Sequence, residues 1–377
     1  MQSTTSFTVT IPETQLVDLR ERLAMTRFPS ELPDVGWERG APLAVIRELC
    51  DHWQHRFDWR KVEAELNRHP QFIGEIDGQS IHFIHARSRH PNARPLLLIH
   101  GWPGSVLEYT HLIDALTDPV AHGGRVEDAF HVVLPSVPGF GFSGPTREKG
   151  WSPERVARAF VDLMVSLGYE RFGVHGNDFG SIAAREIALA APERLIGAHV
   201  TQFFAFPSGD PAEFAALGPA DHARLAELEL FGQRDGYNQI MGKRPQALAY
   251  ALNDSPVGLL AWNLDLLTSF GDRPHQLTPE QILAGVTLYW LTGTSGSAAA
   301  IYFEAGRAGT WEKPDRTTAP MGISVFRHDF RSIRTFAERY HERIVFWAEH
   351  DEGGHFASLE VPARLLADVR AFFAPLR

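Results

Sequence analysis

A short glycine-rich segment contains the best candidate for a nucleophile. Residues 176–181 read Gly-Asn-Asp-Phe-Gly-Ser and lie between a strand-like run at 172–175 and a helix-like run at 182–191. A sharp strand-to-helix turn needs small residues on both sides, and it exposes its central side chain at the strand end. That residue is Asp178, and we predict that its carboxylate is the nucleophile. Taken alone, the segment would also fit a plain turn with an Asp near a helix N-terminus.

An aspartate at this position restricts the electrophile that it can attack. A serine that attacked a saturated carbon would form an ether, which water does not cleave. A carboxylate that attacks a saturated carbon forms an ester, which water can hydrolyse. The Asp therefore favours epoxides or alkyl halides as substrates over esters and amides.

A second motif follows another strand-like run. Residues 100–104 read His-Gly-Trp-Pro-Gly and come directly after the apolar run 96–99. A loop at this place can supply one backbone N–H to an oxyanion hole, and the residue after the nucleophile supplies the other. We therefore predict that the N–H groups of Trp102 and Phe179 form this hole. Taken alone, the motif would also fit a tight Pro-Gly turn.

A histidine late in the chain is the best candidate for the general base. His355 lies in the glycine-containing segment 351–356, soon after the apolar run 344–348, and it follows the nucleophile in the order nucleophile, acid, histidine. A buried carboxylate would hold its ring in the tautomer that can take a proton. Asp329, after the run 323–326, is the preferred acid. The other carboxylates that fit are Glu304, Asp351 and Glu352.

A metal centre is an alternative that the spacing disfavours. His350, Asp351 and His355 lie close together in sequence, but no second histidine-rich segment accompanies them. Cys50 is the only cysteine, which excludes an intrachain disulfide, a cysteine-based zinc site and an iron–sulfur cluster. We expect neither a metal nor an organic cofactor.

The pattern of strands predicts the scaffold that positions these residues. From Arg94 onward, short apolar runs end in glycine-rich loops and precede helix-compatible segments, which is typical of a mostly parallel sheet. The predicted strands are 96–99, 131–134, 172–175, 195–200, 323–326 and 344–348. Between Phe204 and about Pro320 the alternation stops, and the predicted helices there are 212–230, 245–251, 259–269 and 279–292. We predict an α/β fold with a helical cap inserted over the strand ends.

The first part of the chain has a different pattern, which indicates an extension packed on the next domain. Its predicted elements are a strand at 7–11, helices at 13–26 and 43–55, and a hairpin of strands 72–76 and 81–86. The resulting organisation is an extension at 1–92, a core in two parts at 93–203 and 321–377, and a cap at 204–320.

Length, charge and composition exclude several classes of protein. The 377 residues include 46 acidic and 36 basic ones, with a formal net charge of −10 and no run of Lys or Arg, which disfavours a nucleic-acid partner. No stretch approaches the roughly 20 apolar residues that cross a bilayer. The first ten residues lack a signal-peptide pattern. We expect a cytoplasmic protein without membrane or nucleic-acid partners, with surface available for a homodimer.

Together these motifs resemble the α/β-hydrolase-fold epoxide hydrolases of the microsomal type, which carry an N-terminal extension. The likeness covers nearly the whole chain, and several separate motifs occur in the right order. They are the segments 19–23, 57–60 and 66–68, the turn 100–104, the Asp178 elbow and the ending 353–356. Asn177 and Phe179 stand where that family often has Asp and Trp. A Phe keeps its backbone donor, so we expect catalysis to be retained.

The resemblance implies a small-molecule epoxide as substrate and two further site residues. It places the two cap tyrosines that donate hydrogen bonds to the epoxide oxygen on Tyr237 and Tyr302. Such acids are needed because ring opening makes an alkoxide far more basic than phenol, whose pKa is about 10. The chain lacks the apolar N-terminal helix of membrane-anchored members, which favours a soluble enzyme. The tyrosines interpreted instead as packed aromatics are Tyr250, Tyr289 and Tyr340.

Two other functions would use the same fold. A haloalkane or haloacid dehalogenase shares the Asp nucleophile, but it needs halide-binding donors, commonly an indole beside the nucleophile, and position 179 is Phe. A catalytically silent ligand-binding protein would be expected to lose Asp178, Asp329 or His355, and all three are present. The sequence favours an epoxide hydrolase.

Overall fold

A nine-stranded sheet forms the centre of the computed structural model, which describes residues 4–269, 277–310 and 315–376. The strands are β1 (Thr5–Phe7), β2 (Gln71–Ile76), β3 (Gln79–Ala86), β4 (Arg94–Ile99), β5 (Phe130–Pro135), β6 (Phe172–Gly176), β7 (Leu195–Val200), β8 (Met321–Val325) and β9 (Ile344–Glu349). They are arranged in the order β1-β2-β3-β5-β4-β6-β7-β8-β9. β4 to β9 pair in parallel, whereas β1, β2 and β3 pair antiparallel and β3 joins β5 antiparallel. The predicted mostly parallel sheet is confirmed.

The central strand β4 is apolar on both faces. Leu97 and Ile99 of β4 pack into one buried cluster, and Leu96 and Leu98 pack into a second cluster. Successive side chains of a strand point to opposite faces, so a sheet covered on both sides requires an unbroken apolar run. This requirement explains why the sequence shows continuous rather than alternating hydrophobicity in β4.

The first strand is shorter than the predicted strand 7–11. β1 ends at Phe7, and the backbone of Val9 then bonds to an amide side chain instead of a strand. The Val9 N–H donates to Asn67 Oδ1 at 2.9 Å, and the Val9 carbonyl accepts from Asn67 Nδ2 at 2.8 Å. Because one side chain satisfies both backbone groups, the strand prediction beyond Phe7 is wrong.

Three helices belong to the N-terminal extension: α1 (Glu13–Ala24), α2 (Leu43–His55) and α3 (Trp59–Leu66). α1 buries Leu16, Leu19 and Leu23, the stripe expected from helical spacing. α3 is not among the predicted helices. Asp58 caps it, since its carboxylate accepts a hydrogen bond from the Arg60 N–H at 3.0 Å.

The cap consists of seven helices between β7 and β8 among the residues described. They are α7 (Pro211–Ala215), α8 (Pro219–Gln233), α9 (Gly236–Lys243), α10 (Pro245–Asp254), α11 (Pro256–Ser269), α12 (Pro279–Thr292) and α13 (Ser295–Ala308). The single helix predicted at 212–230 is wrong. The first helix ends at Ala215, and a new helix begins after Gly218 with Pro219 at its first position. α9 and α13 are also absent from the prediction.

The remaining helices cover the sheet. They are α4 (Ile113–Thr117), α5 (Pro153–Ser166) and α6 (Phe179–Ala190) before the cap, and α14 (Arg334–Ala337), α15 (Ala357–Glu360) and α16 (Pro362–Phe373) after it. No helix in the described parts of the chain is long and apolar enough to span a bilayer. The loops after β4, β6, β8 and β9 leave the same edge of the sheet, because carboxyl ends of parallel strands meet there. The predicted site residues of the core lie in these loops.

Candidate active site

The elbow at Asp178 is a sharp turn between β6 and α6. Asp178 has φ 53° and ψ −120°, a left-handed conformation that is costly for a residue with a side chain. A Cβ added to Gly176 would collide with the carbonyl oxygen of Gly180, and one added to Gly180 would collide with that of Ile99. The small residues are therefore needed for the close backbone approach, as predicted from the hexapeptide.

The loop after β4 holds one oxygen of the Asp178 carboxylate. The Trp102 N–H donates to Asp178 Oδ1 at 2.9 Å. Gly101 is required beside it, because a Cβ there would collide with the Asp178 side chain. Burial raises the pKa of the Asp178 carboxyl, while the His355 charge and the N–H groups of Trp102 and Phe179 favour the charged form. Both predicted oxyanion donors thus act on this carboxylate.

The loops after β8 and β9 bring His355 between two carboxylates. His355 Nδ1 is 2.8 Å from Asp329 Oδ1, and His355 Nε2 is 3.7 Å from Asp178 Oδ2. The His328 N–H donates to the Gly353 carbonyl at 2.9 Å, which ties the two loops together. The histidine and both carboxylates are buried. The chain therefore has the geometry of a nucleophile, base and acid triad.

The alternative acids in the loop before His355 do not reach it. Asp351 and Glu352 are exposed, and Glu352 pairs with Arg364 at 3.2 Å. Among the residues described, no group of three His, Cys, Asp or Glu side chains could hold a metal ion. Asp329 is the carboxylate that the fold brings to the histidine ring.

Charged neighbours determine the protonation of His355. Burial alone would lower the pKa of the imidazole, but Asp329, Asp178 and Glu108 outweigh it and raise the pKa to about 9. A charged imidazolium in the resting site is therefore held between Asp329 and Asp178.

A cavity of about 210 Å³ lies over the nucleophile, between the core and the cap. It is lined by Asp178, Phe179, Ile182, Phe204, Phe206, Tyr237, Asn238, Ile301, Tyr302 and Ala305. The rings of Tyr237 and Tyr302 lie 6.0 Å apart at 89°. Burial and the Asp178 charge raise the pKa of both phenols well above the ordinary value. Both tyrosines therefore stay protonated and can act as donors.

The three tyrosines interpreted as packed aromatics differ in their surroundings. Tyr289 is fully buried and donates to the Gly104 carbonyl at 2.6 Å, which agrees with its interpretation as a packed residue. Tyr250 is 73% exposed, so that interpretation is wrong for it, because its position on α10 faces solvent. Tyr340 is half-buried and packs on Phe203 at 5.7 Å.

Two polar residues near the triad were not predicted from the sequence. Gln202 Nε2 lies 3.3 Å from His355 Nδ1. Glu108 is buried, and its Oε1 accepts a hydrogen bond from Asn177 Nδ2 at 2.8 Å. A carboxylate four residues after the 100–104 motif, flanked by apolar side chains, is the signal that could have identified Glu108.

Comparisons with known proteins agree with this geometry. Residues 4–109 match the family described as the epoxide hydrolase N terminus, and residues 94–208 match the alpha/beta hydrolase fold. A candidate epoxide hydrolase of Stigmatella aurantiaca is 42% identical, covering 99% of this chain and 85% of the relative. Epoxide hydrolase 1 of Sus scrofa is 30% identical, covering 100% and 89%.

Solved structures show the same architecture. The Aspergillus niger epoxide hydrolase superposes with a TM-score of 0.88 at 31% identity, covering 100% of this chain and 97% of the other. The juvenile hormone epoxide hydrolase of Bombyx mori gives a TM-score of 0.91 at 26% identity, covering 100% and 95%. The fold is therefore the α/β-hydrolase fold with a helical cap, and this chain belongs to the epoxide hydrolase family.

Proposed function

We propose that this enzyme converts a small-molecule epoxide to a vicinal diol through an ester formed on Asp178. The observation that carries the proposal is the different surroundings of the two carboxylate oxygens. Oδ1 accepts the Trp102 N–H at 2.9 Å, while Oδ2 lies 3.7 Å from His355 Nε2. One oxygen is held where an oxyanion would form, and the other is left for attack.

In the first step, Asp178 Oδ2 attacks an epoxide carbon from the face opposite the C–O bond that breaks. The electron pair of that bond moves to the epoxide oxygen, which takes a proton from Tyr237 or Tyr302 as it becomes a hydroxyl. Their position over the nucleophile in the cavity supports this role. The product of the step is a hydroxyalkyl ester of Asp178, whose carbonyl oxygen is Oδ1.

In the second step, water hydrolyses the ester. His355, oriented by Asp329, takes a proton from the water, and the water oxygen attacks the Asp178 carbonyl carbon. The negative charge that develops on Oδ1 is stabilised by the Trp102 and Phe179 N–H groups. The tetrahedral intermediate then releases the diol, whose oxygen takes the proton from His355. The proton that remains on the Asp178 carboxyl group returns through solvent to the tyrosinate formed in the first step, which regenerates both the carboxylate and the phenol.

The cavity supports epoxides with apolar substituents. Its lining away from the nucleophile and the tyrosines is mainly apolar, with Phe204, Phe206 and Ile301 among its side chains. Pockets of this kind gain affinity from burial and orientation from a few polar groups. Here those groups are the carboxylate below and the two phenols above.

We also propose a cytoplasmic location and a homodimer. The buried free Cys50 is compatible with a reducing compartment, and the exposed side chains of Met25, Leu32 and Trp37 give the extension an apolar surface. Cell fractionation and light scattering test these two points. Residues 92, 203 and 320 are the proposed boundaries between extension, core and cap.

Trapping the ester tests the proposed reaction. A His355→Gln variant should form the ester but hydrolyse it slowly, so its intact mass should increase by one whole epoxide from a panel of aryl and alkyl epoxides. A His355→Gln, Asp178→Asn double variant is the matched control and should show no adduct. Alkylation by haloalkanes alone would instead indicate a dehalogenase. An adduct that survives in the double variant would refute Asp178 as the nucleophile.

A further inference from the structure

Glu108 is a buried carboxylate with one unbonded oxygen beside the triad. It ends a short turn, Val106–Glu108, that follows the loop 100–104, here called the oxyanion loop, and only 2% of its surface is exposed. Its Oε1 accepts from Asn177 Nδ2 at 2.8 Å, but its Oε2 accepts no hydrogen bond from any residue described. Burying a carboxylate oxygen without a hydrogen-bond donor costs free energy. We therefore expect this oxygen to accept a hydrogen bond from a bound ligand.

The space around Oε2 is kept open by a glycine. A Cβ on Gly104 would stand 2.5 Å from Glu108 Oε2, so a larger residue at 104 would displace the carboxylate. The hydroxyl of Tyr109, which is fully buried, lies near enough to favour the charged form of Glu108 but outside hydrogen-bond geometry. Two adjacent residues thus present polar atoms without partners among the residues described.

The same carboxylate is electrostatically coupled to the triad. Burial raises the pKa of Glu108 to about 7, while the Asn177 amide and the charged His355 hold it down and Asp178 raises it further. Glu108 in turn raises the pKa of His355. Above pH 7, Glu108 is therefore mostly ionised, and its negative charge acts on the imidazole of His355.

We propose that Glu108 is a positioning residue that binds the hydrolytic water through Oε2. The water donates one O–H to Glu108 Oε2 and the other to neutral His355 Nε2, which leaves an oxygen lone pair for the ester carbon of Asp178. Glu108 forms and breaks no covalent bond, and the proton goes to His355. This inference rests on the proposed two-step reaction and assigns Glu108 to its second step alone, because no water takes part in alkylation.

A Glu108→Gln variant tests the proposal. Gln keeps the side-chain shape, and its Oε1 can still accept from Asn177, but it places an N–H where the water must donate. Rapid quenching and intact-mass measurement during one turnover of an epoxide used by the wild type give the rates of ester formation and ester hydrolysis separately. We expect hydrolysis to slow about tenfold or more, in keeping with loss of a hydrogen bond to a charged group, and ester formation to change less than about threefold.

Steady-state kinetics and the pH dependence of hydrolysis distinguish this role of Glu108 from a merely structural one. The ester should accumulate in Glu108→Gln, so kcat and KM should fall together. The slowing should persist at a pH high enough for His355 to be neutral. A slowing that disappears at high pH would overturn the proposal, since Glu108 would then act only on the pKa of the base.

A second, partly buried carboxylate provides the matched control. Glu360 Oε1 accepts the Phe356 N–H at 3.0 Å, and its charge also reaches His355. Glu360→Gln should leave the ratio of the two rates unchanged. Equal slowing of both steps in Glu108→Gln, or no slowing, would overturn the inference. An ester trapped in His355→Gln with the same epoxide shows that the proposed function stands independently.

Discussion

Replacing Asp178 with Asn should lower the pKa of His355. The Asn side chain has the shape of the carboxylate and, like the proposed ester, carries no charge. In the resting site, Asp329, Asp178 and Glu108 overcome the effect of burial and raise the pKa of His355 to about 9. The variant therefore reports how the base would respond when the nucleophile becomes an ester.

The magnitude follows from the separation of the charges. His355 Nε2 and Asp178 Oδ2 are 3.7 Å apart, and at an effective dielectric constant of about 20 this gives an attraction of about 4 kcal/mol. Since about 1.4 kcal/mol corresponds to one pKa unit, removing the charge lowers the pKa by at most about 3. Both charges are delocalised, so we expect a fall of about 2 to 3. The base would then be largely neutral near pH 7, when water must be activated.

An NMR titration of the His355 ring in the wild type and in Asp178→Asn measures this change, with His355→Gln used to assign the signal. Asp351→Asn is the control, because that carboxylate is exposed and its removal should leave the pKa nearly unchanged. A pKa in Asp178→Asn within about half a unit of the wild-type value would refute the reasoning. It would mean that the acid partner and the neighbouring buried carboxylate determine the charge of the histidine without the nucleophile.

Three further predictions concern the donors, acid stability and the oxyanion loop. Tyr237→Phe and Tyr302→Phe should each slow ester formation by roughly 10²-fold or more, measured in single turnovers; unchanged rates would contradict their role as acids. Burial lowers the pKa of His82 and His175 to about 3, below the unfolded value of about 6.5, so stability present above pH 6.5 should be lost toward pH 3, on the order of 1 kcal/mol per pH unit for each ring. Urea unfolding at pH 7.5 and 5.5 checks this, and equal midpoints would contradict it. Gly101→Ala should fold, as judged by circular dichroism, but lose roughly 10² to 10³-fold in kcat; full activity would mean that its Cβ fits beside the nucleophile.

The loops of the site were predictable because they obey strict steric and topological rules. Gly176 and Gly180 mark the elbow, since any Cβ there would collide with backbone oxygens. Parallel strands then bring Asp178, Asp329 and His355 to one edge of the sheet, whatever their separation in sequence. The fold is confirmed, while the catalytic roles of these residues stay predictions.

Other features depend on contacts that sequence patterns do not encode. The end of β1 is decided by the Asn67 amide, which lies more than fifty residues away and replaces a strand partner of Val9. Glu108 gave no periodic signal, because its proposed role depends on one oxygen that lies beside Gly104 and on its charge coupling to His355. Such features follow from the packing of distant segments.

The extension and the core share one sheet, although they match different families. The two family matches overlap at 94–109, so β4 and the oxyanion loop belong to both. β3 of the extension pairs with β5 along four residue pairs, from Phe83 with Pro135 to Ala86 with Val132. The extension therefore covers a strand edge that would otherwise offer unpaired backbone groups to other chains.

The shared sheet limits where the chain can be cut or joined to another protein. A truncation at residue 92 would expose the edge of β5 and produce an aggregation-prone core rather than a smaller enzyme. A cut in the loop between β2 and β3 would likewise leave one strand edge, that of β3, without its partner. The unit that can be exchanged between proteins is thus larger than the segment that a family boundary marks, and fusion or domain-swap designs should keep residues 4–109 together with the core strands.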